Sequence, residues 1–186
     1  MEILEQLEGA FGTTERIVAG IRPDQLSEPT PCKEWDVRTL LGHTTGVLTR
    51  FGWTARRERP PEDGVTDALA EDFAAAYRAA AASTLAAWAA PGALEGTCRL
   101  PIGVEIPAPA AAGINVVDTL VHGWDLARAT GQARTIDPAL ATAALEFCRS
   151  AITDDIRERG AFGAIVPVPD DATPTDRLVG FLGRQP

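Results

Sequence analysis

The chain has 186 residues, of which 45% are hydrophobic and 23% charged, a composition typical of a globular domain with a substantial core. Its net charge of -9 and its pI near 4.7 argue against nucleic acid or an anionic membrane as a partner. The first residues lack a signal-peptide pattern, the three cysteines fit no metal-ligand pair spacing, and no apolar run reaches the roughly 20 residues that span a bilayer. We therefore expect one domain, residues 1–186, in the cytoplasm.

The first part of the chain predicts two amphipathic helices separated by a loop. Apolar residues recur at the helical period over about residues 2–20 and again over about residues 36–56. Prolines punctuate residues 21–34 and exclude a regular helix there. Asp36 is a suitable N-cap for the second helix because its short carboxylate can accept a hydrogen bond from a free backbone N–H.

The middle of the chain predicts a third helix and a short extended segment. An alanine-rich helix is expected to begin at Thr66 or Asp67 and to reach about Ala90, where a Pro-Gly pair ends it. Residues 94–107 combine β-favouring residues with proline and glycine. They predict a small hairpin or an extended excursion, with Pro101 near its centre.

The last part of the chain predicts a fourth long helix and shorter ones. The fourth spans about residues 109–130 and ends at Gly131, a residue type common just after a helix. Asp137-Pro138 starts a fifth helix, and residues 173–176 repeat that pattern before a short C-terminal helix. The fold class predicted from these elements is mainly α, with four long helices forming a bundle.

The fourth predicted helix carries four polar residues on one narrow strip of an otherwise apolar surface. At 100° per residue, Asn115, Asp118, His122 and Asp125 fall within about 100° of one another. One interpretation is the solvated face of a surface helix. The other is a central helix whose strip faces an internal cavity, where an ionised carboxylate needs a partner such as a metal ion.

Two histidines are present, His43 and His122, and both fall in predicted helices. Asp118 and His122 are four residues apart and so share a helix face. Two histidines and one carboxylate are a common three-ligand metal set that leaves a coordination position open. His43 lies at the edge of its apolar stripe, where a hydrogen-bonded core histidine is the alternative interpretation. Helical periodicity does not decide whether the three side chains meet.

Several segments resemble a known family. Residues 30–43 (TPCKEWDVRTLLGH) resemble the first signature of the metal-binding domain of mycothiol-dependent maleylpyruvate isomerases and of the wider DinB/YfiT-like superfamily. Residues 117–131 (VDTLVHGWDLARATG) resemble the second signature of the actinobacterial branch. Residues 162–171 and 176–184 are similar to the tail of that branch. The resemblance covers most of the chain and implies a DinB-like four-helix bundle with short extra helices.

The resemblance also implies a metal centre and a thiol cosubstrate. Carried over to this sequence, the metal ligands are His43, Asp118 and His122, and the metal is zinc, with nickel as the alternative. The implied activity is that of a mycothiol-dependent transferase or isomerase-like enzyme acting on an electrophilic small molecule. The alternative is a non-catalytic bundle that binds a ligand or a partner. A homodimer through an apolar helix face is a further possibility that the sequence does not test.

Two departures from the family pattern bear on this expectation. The isomerase has glutamate where this chain has Asp118, so the shorter carboxylate requires a closer backbone or looser ligation. The given chain also does not include the C-terminal domain of the isomerase, which argues against maleylpyruvate isomerisation itself.

Two further residues next to the implied ligands have alternative interpretations. Asp125 is expected to orient a ligand or a bound water without touching the metal, and its alternative role is an ion pair with Arg128. Cys32 precedes a helix N-terminus, where thiols become reactive. We instead interpret Cys32 as part of a rigid turn, because prolines and Trp35 surround it.

Overall fold

The computed structural model describes residues 1–59, 69–100, 102–158 and 162–186. Within these ranges the regular structure is helical apart from one short hairpin and a 3-10 turn at Pro23–Gln25. The elements are α1 Ile3–Ala19, α2 Val37–Arg56, α3 Phe73–Ala89, β1 Thr97–Arg99, β2 Glu105–Pro107, α4 Ala108–Ala129, α5 Pro138–Ala151, α6 Asp154–Glu158 and α7 Pro174–Phe181. The prediction of a mainly α fold is confirmed.

The chain divides into two compact units. Residues 2–134 form a four-helix bundle in which α1 and α2 each pack against both α3 and α4. Met1 and residues 135–186 form the second unit, in which α5 packs against α7. The expectation of a single domain over residues 1–186 stays a prediction.

Small and hydroxyl-bearing residues allow close helix contacts in the bundle. Thr14 of α1 donates its hydroxyl to the backbone carbonyl of Thr119 in α4 at 3.1 Å, beside Gly123, which has no Cβ to block that approach. Thr84 of α3 donates in the same way to the carbonyl of Leu48 in α2 at 2.7 Å. These hydrogen bonds satisfy buried hydroxyl groups and fix the axial position of neighbouring helices.

Helix α4 is the most buried helix of the bundle. Its buried residues include both apolar and polar positions, among them Asn115 and Asp125, which are fully buried. Asp118 and His122 are partly buried. The interpretation of the polar strip as a solvated surface face is therefore wrong, because the strip lies against other helices of the bundle.

The predicted hairpin forms within residues 94–107. Strands β1 and β2 are antiparallel, with Cys98 opposite Ile106. The backbone N–H of Leu100 donates to the carbonyl of Val104 at 2.8 Å, and Gly103 takes a φ of 88° that side chains disfavour. Pro101, which the sequence placed at the centre of this segment, lies outside the described residues.

Most predicted helix ends coincide with observed caps. The Asp36 carboxylate accepts a hydrogen bond from the backbone N–H of Thr39 at 2.8 Å. Asp137 and Thr173 cap α5 and α7, each followed by proline. Gly131 follows α4 with a φ of 69°, as expected for the residue after a helix.

The predicted start of the third helix is corrected by the structure. Helix α3 begins at Phe73, and the carboxylate of Asp72 caps it by accepting from the N–H of Ala75 at 2.9 Å. Thr66 and Asp67, the predicted caps, lie outside the described residues. Because the alanine-rich segment favours helix throughout, its sequence does not distinguish Asp72 from earlier candidate caps.

The second unit contains one helix that was not predicted, α6. The unit is held in part by the Thr175 hydroxyl, which accepts a hydrogen bond from the backbone N–H of Ile136 at 3.2 Å. Across the described residues of the whole chain, none of the helices combines the length and the apolar character needed to cross a bilayer.

Candidate metal centre

Three polar side chains of α4 meet because of their helical spacing. Asp118 and His122 are one turn apart, and the Oδ1 atom of Asp118 lies 3.6 Å from Nε2 of His122. Asp125 is three residues further on, and its Oδ2 atom lies 3.4 Å from Nδ1 of the same ring. The imidazole of His122 therefore lies between two carboxylates, with one ring nitrogen directed to each.

Helix α2 brings His43 to this strip. The His43 and His122 ring centroids are 5.3 Å apart, with the ring planes perpendicular. Trp35, in the turn before α2, also contacts His43, with its ring centroid 4.7 Å from that of His43 and the ring planes tilted by 55°. Trp124, in contrast, is buried and packs beneath the guanidinium of Arg128. Trp124 is thus a core aromatic residue, whereas Trp35 is half-buried and lies beside His43.

The predicted ligand set converges. One donor atom each from His43, Asp118 and His122 all lie within 4.8 Å of one another. Around a tetrahedral zinc ion, nitrogen and oxygen donors are separated by about 3.3–3.5 Å. Small side-chain rotations would therefore bring the three donors to the distances that a zinc ion requires. The Asp118-to-His122 separation of 3.6 Å is already close to this value. The residues present thus fit a divalent cation, and metal binding by them stays a prediction.

The charge state of His122 is set by its surroundings. Burial disfavours the imidazolium, but the negative charge of Asp118 and the contacts with Asp125 and Cys32 outweigh burial and raise the pKa of His122 from 6.5 to about 10. Near neutral pH and without a cation, the ring carries both protons. A metal ion at Nε2 would therefore replace a proton, which is the expected linkage between metal binding and pH.

Asp125 occupies the position expected of a residue that orients His122. Its carboxylate has no exposed surface and faces Nδ1, the nitrogen opposite the one directed to Asp118. A carboxylate that accepts the N–H of a metal-binding imidazole fixes the ring and increases its basicity. The guanidinium of Arg128, proposed as an alternative partner, packs over the Trp124 ring at 5.5 Å.

Cys32 is the residue whose proximity the sequence did not indicate. Its Sγ atom donates to Oδ2 of Asp125 at 3.3 Å and lies 3.8 Å from Nδ1 of His122. Thr30 stabilises the turn that presents it, since the Thr30 hydroxyl accepts from the Cys32 N–H at 3.1 Å and donates to the Trp35 carbonyl at 2.8 Å. The expectation of a rigid turn agrees with this geometry, but the turn directs the thiol to the polar strip of α4.

Tyr77 and Asn115 are two further buried polar residues of the bundle, of which the sequence singled out only Asn115, as part of the polar strip. The Asn115 Oδ1 atom accepts from the Trp88 indole at 3.1 Å, while its Nδ2 and the Tyr77 hydroxyl have no hydrogen-bond partner among the described residues. Burial raises the pKa of Tyr77, and the negative charge of Asp118 contributes to the rise. The one available signal was that Tyr77 is the single tyrosine, set in an alanine-rich helix.

Comparison with known proteins supports the resemblance. The family model described as the mycothiol maleylpyruvate isomerase N-terminal domain matches residues 7–127. Two proteins of Mycobacterium tuberculosis, from strains CDC 1551 and H37Rv and both named as uncharacterized, are each 39% identical over 170 residues. The alignments cover 90% of this chain and 90% of each relative.

Two solved structures share the fold. The crystal structure of the mycothiol-dependent maleylpyruvate isomerase superposes with a TM-score of 0.60 over 88% of this chain and 74% of that chain, at 15% sequence identity. A histidine-to-alanine mutant of that enzyme gives a TM-score of 0.59 over 76% of this chain and 67% of its own, also at 15% identity. At this identity the likeness shows a common DinB-like architecture.

Proposed function

Because the chain belongs to the mycothiol maleylpyruvate isomerase N-terminal domain family, we propose that it binds a divalent cation and uses it with a low-molecular-weight thiol such as mycothiol. The ligands in this proposal are His43, Asp118 and His122. The reaction is a transfer of the thiol to an electrophilic small molecule or a related isomerisation. The observation that carries the proposal is the convergence of three suitable donor atoms within 4.8 Å.

The donor types favour zinc, with nickel as the alternative. Two imidazoles and a carboxylate are a frequent catalytic zinc set, and they leave the fourth tetrahedral position open. Imidazole is also a good ligand for nickel, which is therefore the alternative. The shorter carboxylate of Asp118 supports this proposal because the measured 3.6 Å separation from His122 needs no additional methylene.

The chain's own residues would prepare the site for thiol chemistry. A divalent cation at these ligands would lower the pKa of a thiol and present it as a nucleophilic thiolate. The Asp125 carboxylate faces Nδ1 and so would keep the ring proton on that nitrogen, which leaves Nε2 of His122 for the cation. Trp35 contacts the His43 ring and so restricts its rotation.

The site remains open to solvent on the Asp118 side. The Asp118 side chain is 26% exposed and that of His122 is 13% exposed, while Asp125 behind them has no exposed surface. A small thiol can therefore approach the cation position from the side of Asp118. The opposite, buried side is closed by the Asp125 carboxylate.

Metal analysis of protein purified without a histidine tag tests the proposal. We expect close to one equivalent of zinc or nickel in the wild type and a loss of most of it in His43→Ala. Arg38→Ala, on the first turn of the same helix, is a control expected to retain the metal. A metal-free wild type, or equal metal content in His43→Ala, would contradict the proposed ligand set.

A thermal-shift titration separates the thiol-dependent function from the non-catalytic alternative. If the site binds a thiol at the cation, mycothiol should raise the melting temperature of the metal-loaded protein and leave the metal-free protein unchanged. The S-methylated or oxidised thiol, which cannot supply a thiolate, serves as the control ligand. Equal shifts with and without metal would favour a bundle that binds ligands without metal-assisted chemistry.

A further inference from the structure

Cys32, His122 and Asp125 form a second group of donors around the other nitrogen of the His122 ring. Their candidate ligand atoms lie within 4.8 Å of one another. The three separations are 3.3 Å from Sγ to Oδ2 of Asp125, 3.4 Å from that oxygen to Nδ1, and 3.8 Å from Sγ to Nδ1. This group has only His122 in common with the first group of donors, and it lies at the Nδ1 side of that ring, whereas Asp118 lies at the Nε2 side.

The spacing of this group also suits a bound cation. An N–H···O hydrogen bond is about 2.9–3.0 Å long, shorter than the 3.4 Å between Nδ1 and Asp125. Zinc-to-sulfur and zinc-to-nitrogen distances of about 2.3 and 2.0 Å place tetrahedral donors about 3.3–3.6 Å apart. The observed triangle, with sides of 3.3, 3.4 and 3.8 Å, is close to one face of such a tetrahedron.

The charges of the group also favour a cation. Asp125 is fully buried, and a cation between its carboxylate and the His122 ring would balance a negative charge that is held away from solvent. A thiolate and a carboxylate together neutralise a divalent ion, and thiolate sulfur selects thiophilic ions such as zinc and cadmium over magnesium or calcium. Binding would convert the Cys32 thiol to a thiolate and release its proton to solvent.

The turn that carries Cys32 is already fixed in the required position. The backbone N–H of Trp35 donates to the Cys32 carbonyl at 3.0 Å, and the Thr30 hydroxyl accepts from the Cys32 N–H at 3.1 Å. Cys32 is partly exposed, so the fourth position of an ion there is open to water. From this geometry we infer that Cys32, His122 and Asp125 form a second site for a thiophilic divalent cation, separate from the one proposed for His43 and Asp118.

Cadmium titration of the reduced, metal-free protein tests this site, since cadmium bound to a thiolate gives a charge-transfer absorption in the near ultraviolet. We expect the band to saturate at one cadmium per chain in the wild type and in Asp118→Ala. Cys32→Ser, which keeps a hydroxyl donor for Asp125, should lose the band and at least about tenfold in cadmium affinity. Cys98→Ala removes a buried cysteine of β1 and should behave as the wild type.

A second measurement uses only the wild-type protein and so does not depend on the folding of Cys32→Ser. Alkylation of the wild-type protein by iodoacetamide, followed by mass spectrometry, should modify Cys32 without cadmium and spare it when cadmium is present. A band that persists in Cys32→Ser, a wild type without the band, or alkylation unaffected by cadmium would overturn the inference. Zinc retained by His43→Ala and lost by Cys32→Ser would support this site and contradict the ligand set proposed above.

Discussion

A substitution at Asp125 tests whether this carboxylate holds the imidazole of His122 in place. Its fully buried carboxylate faces Nδ1 at 3.4 Å, and carboxylates in this position typically contribute 10–100-fold to metal affinity. Asp125→Asn keeps the size of the side chain and removes its charge. We therefore expect zinc affinity, measured by competition with a chelating dye, to fall by about 10–100-fold. Affinity within twofold of the wild type would show that Asp125 does not support the ligand.

An exposed aspartate provides the matched control for that substitution. Asp24 pairs with Arg22 on the surface, where the guanidinium lowers the pKa of the carboxyl. Asp24→Asn makes the same chemical change outside the candidate site. It should leave zinc affinity unchanged, so an equal loss in both variants would indicate a general effect of charge.

His122 is the residue from which a pH dependence is expected. Its pKa in the folded, metal-free protein is raised from 6.5 to about 10, so the protonated ring stabilises the fold. This contribution is fully present below pH 6.5 and is lost as the pH rises toward 10, by up to about 1.4 kcal/mol per pH unit.

Urea unfolding with a chelator present measures this contribution. The difference in unfolding free energy between wild type and His122→Gln should shrink steadily from pH 7 to pH 9.5, within the window set by a pKa of about 10. His43→Gln, whose ring has a different environment, serves as the comparison variant. A difference that stays constant or grows with pH would contradict the raised pKa.

The candidate site could be predicted in part because helices have a regular period. Asp118 and His122 are four residues apart, a spacing that places them on one face of any regular α-helix. Cys32 is different, since its position depends on the hydrogen-bonded turn around Thr30 and on a φ of 68° at Glu34. No periodic pattern encodes a turn of this kind. The sequence therefore indicated the candidate ligands of α4 and missed the thiol that approaches the same ring.

At the scale of helices, the contact between α1 and α4 depends on a missing side chain. A Cβ at Gly123 would lie 2.4 Å from the Thr14 hydroxyl oxygen and 3.2 Å from its Cβ. Gly123→Ala should therefore destabilise the protein by about 1–3 kcal/mol in chemical denaturation, although alanine favours helix. Because Gly123 follows His122 directly, a weaker affinity for zinc is expected as well.

Gly12 of α1 offers the opposite case within the same pair of helices. It is exposed, and a Cβ there would meet no atom within 4 Å. Gly12→Ala should leave stability unchanged or increase it by up to about 1 kcal/mol. A destabilisation equal to that of Gly123→Ala would mean that the approach of Thr14 does not explain the cost at Gly123.

Helix ends were predictable where capping chemistry is local and unambiguous. Asp36, Asp137 and Thr173 each accept from backbone N–H groups of the first turn, as their sequence context indicated. The start of α3 was not predictable in the same way, because Asp72 is one of several acidic residues before an alanine-rich helix.

At the scale of the whole molecule, both groups of candidate donors belong to one of the two compact units. Cys32, His43, Asp118, His122 and Asp125 all lie within residues 2–134, and the family model covers residues 7–127 of the same unit. A cation bound there would link α2 and α4, which pack together in space but are separated in sequence by α3 and the hairpin. Metal binding should therefore act on the stability of the bundle and not only on one helix.

Removal of metal tests this effect on stability. A ligand that binds only the folded state at 100 times its dissociation constant adds about 2.7 kcal/mol, which corresponds to roughly 5–10 °C in melting temperature for a chain of this size. We expect the melting temperature measured by circular dichroism with zinc to exceed that with a chelator by this amount. His122→Ala, which removes the ring shared by both donor groups, should show no difference between the two conditions. An equal rise in His122→Ala would place the bound zinc elsewhere on the acidic surface, because no cation held through that imidazole could then explain the stabilisation.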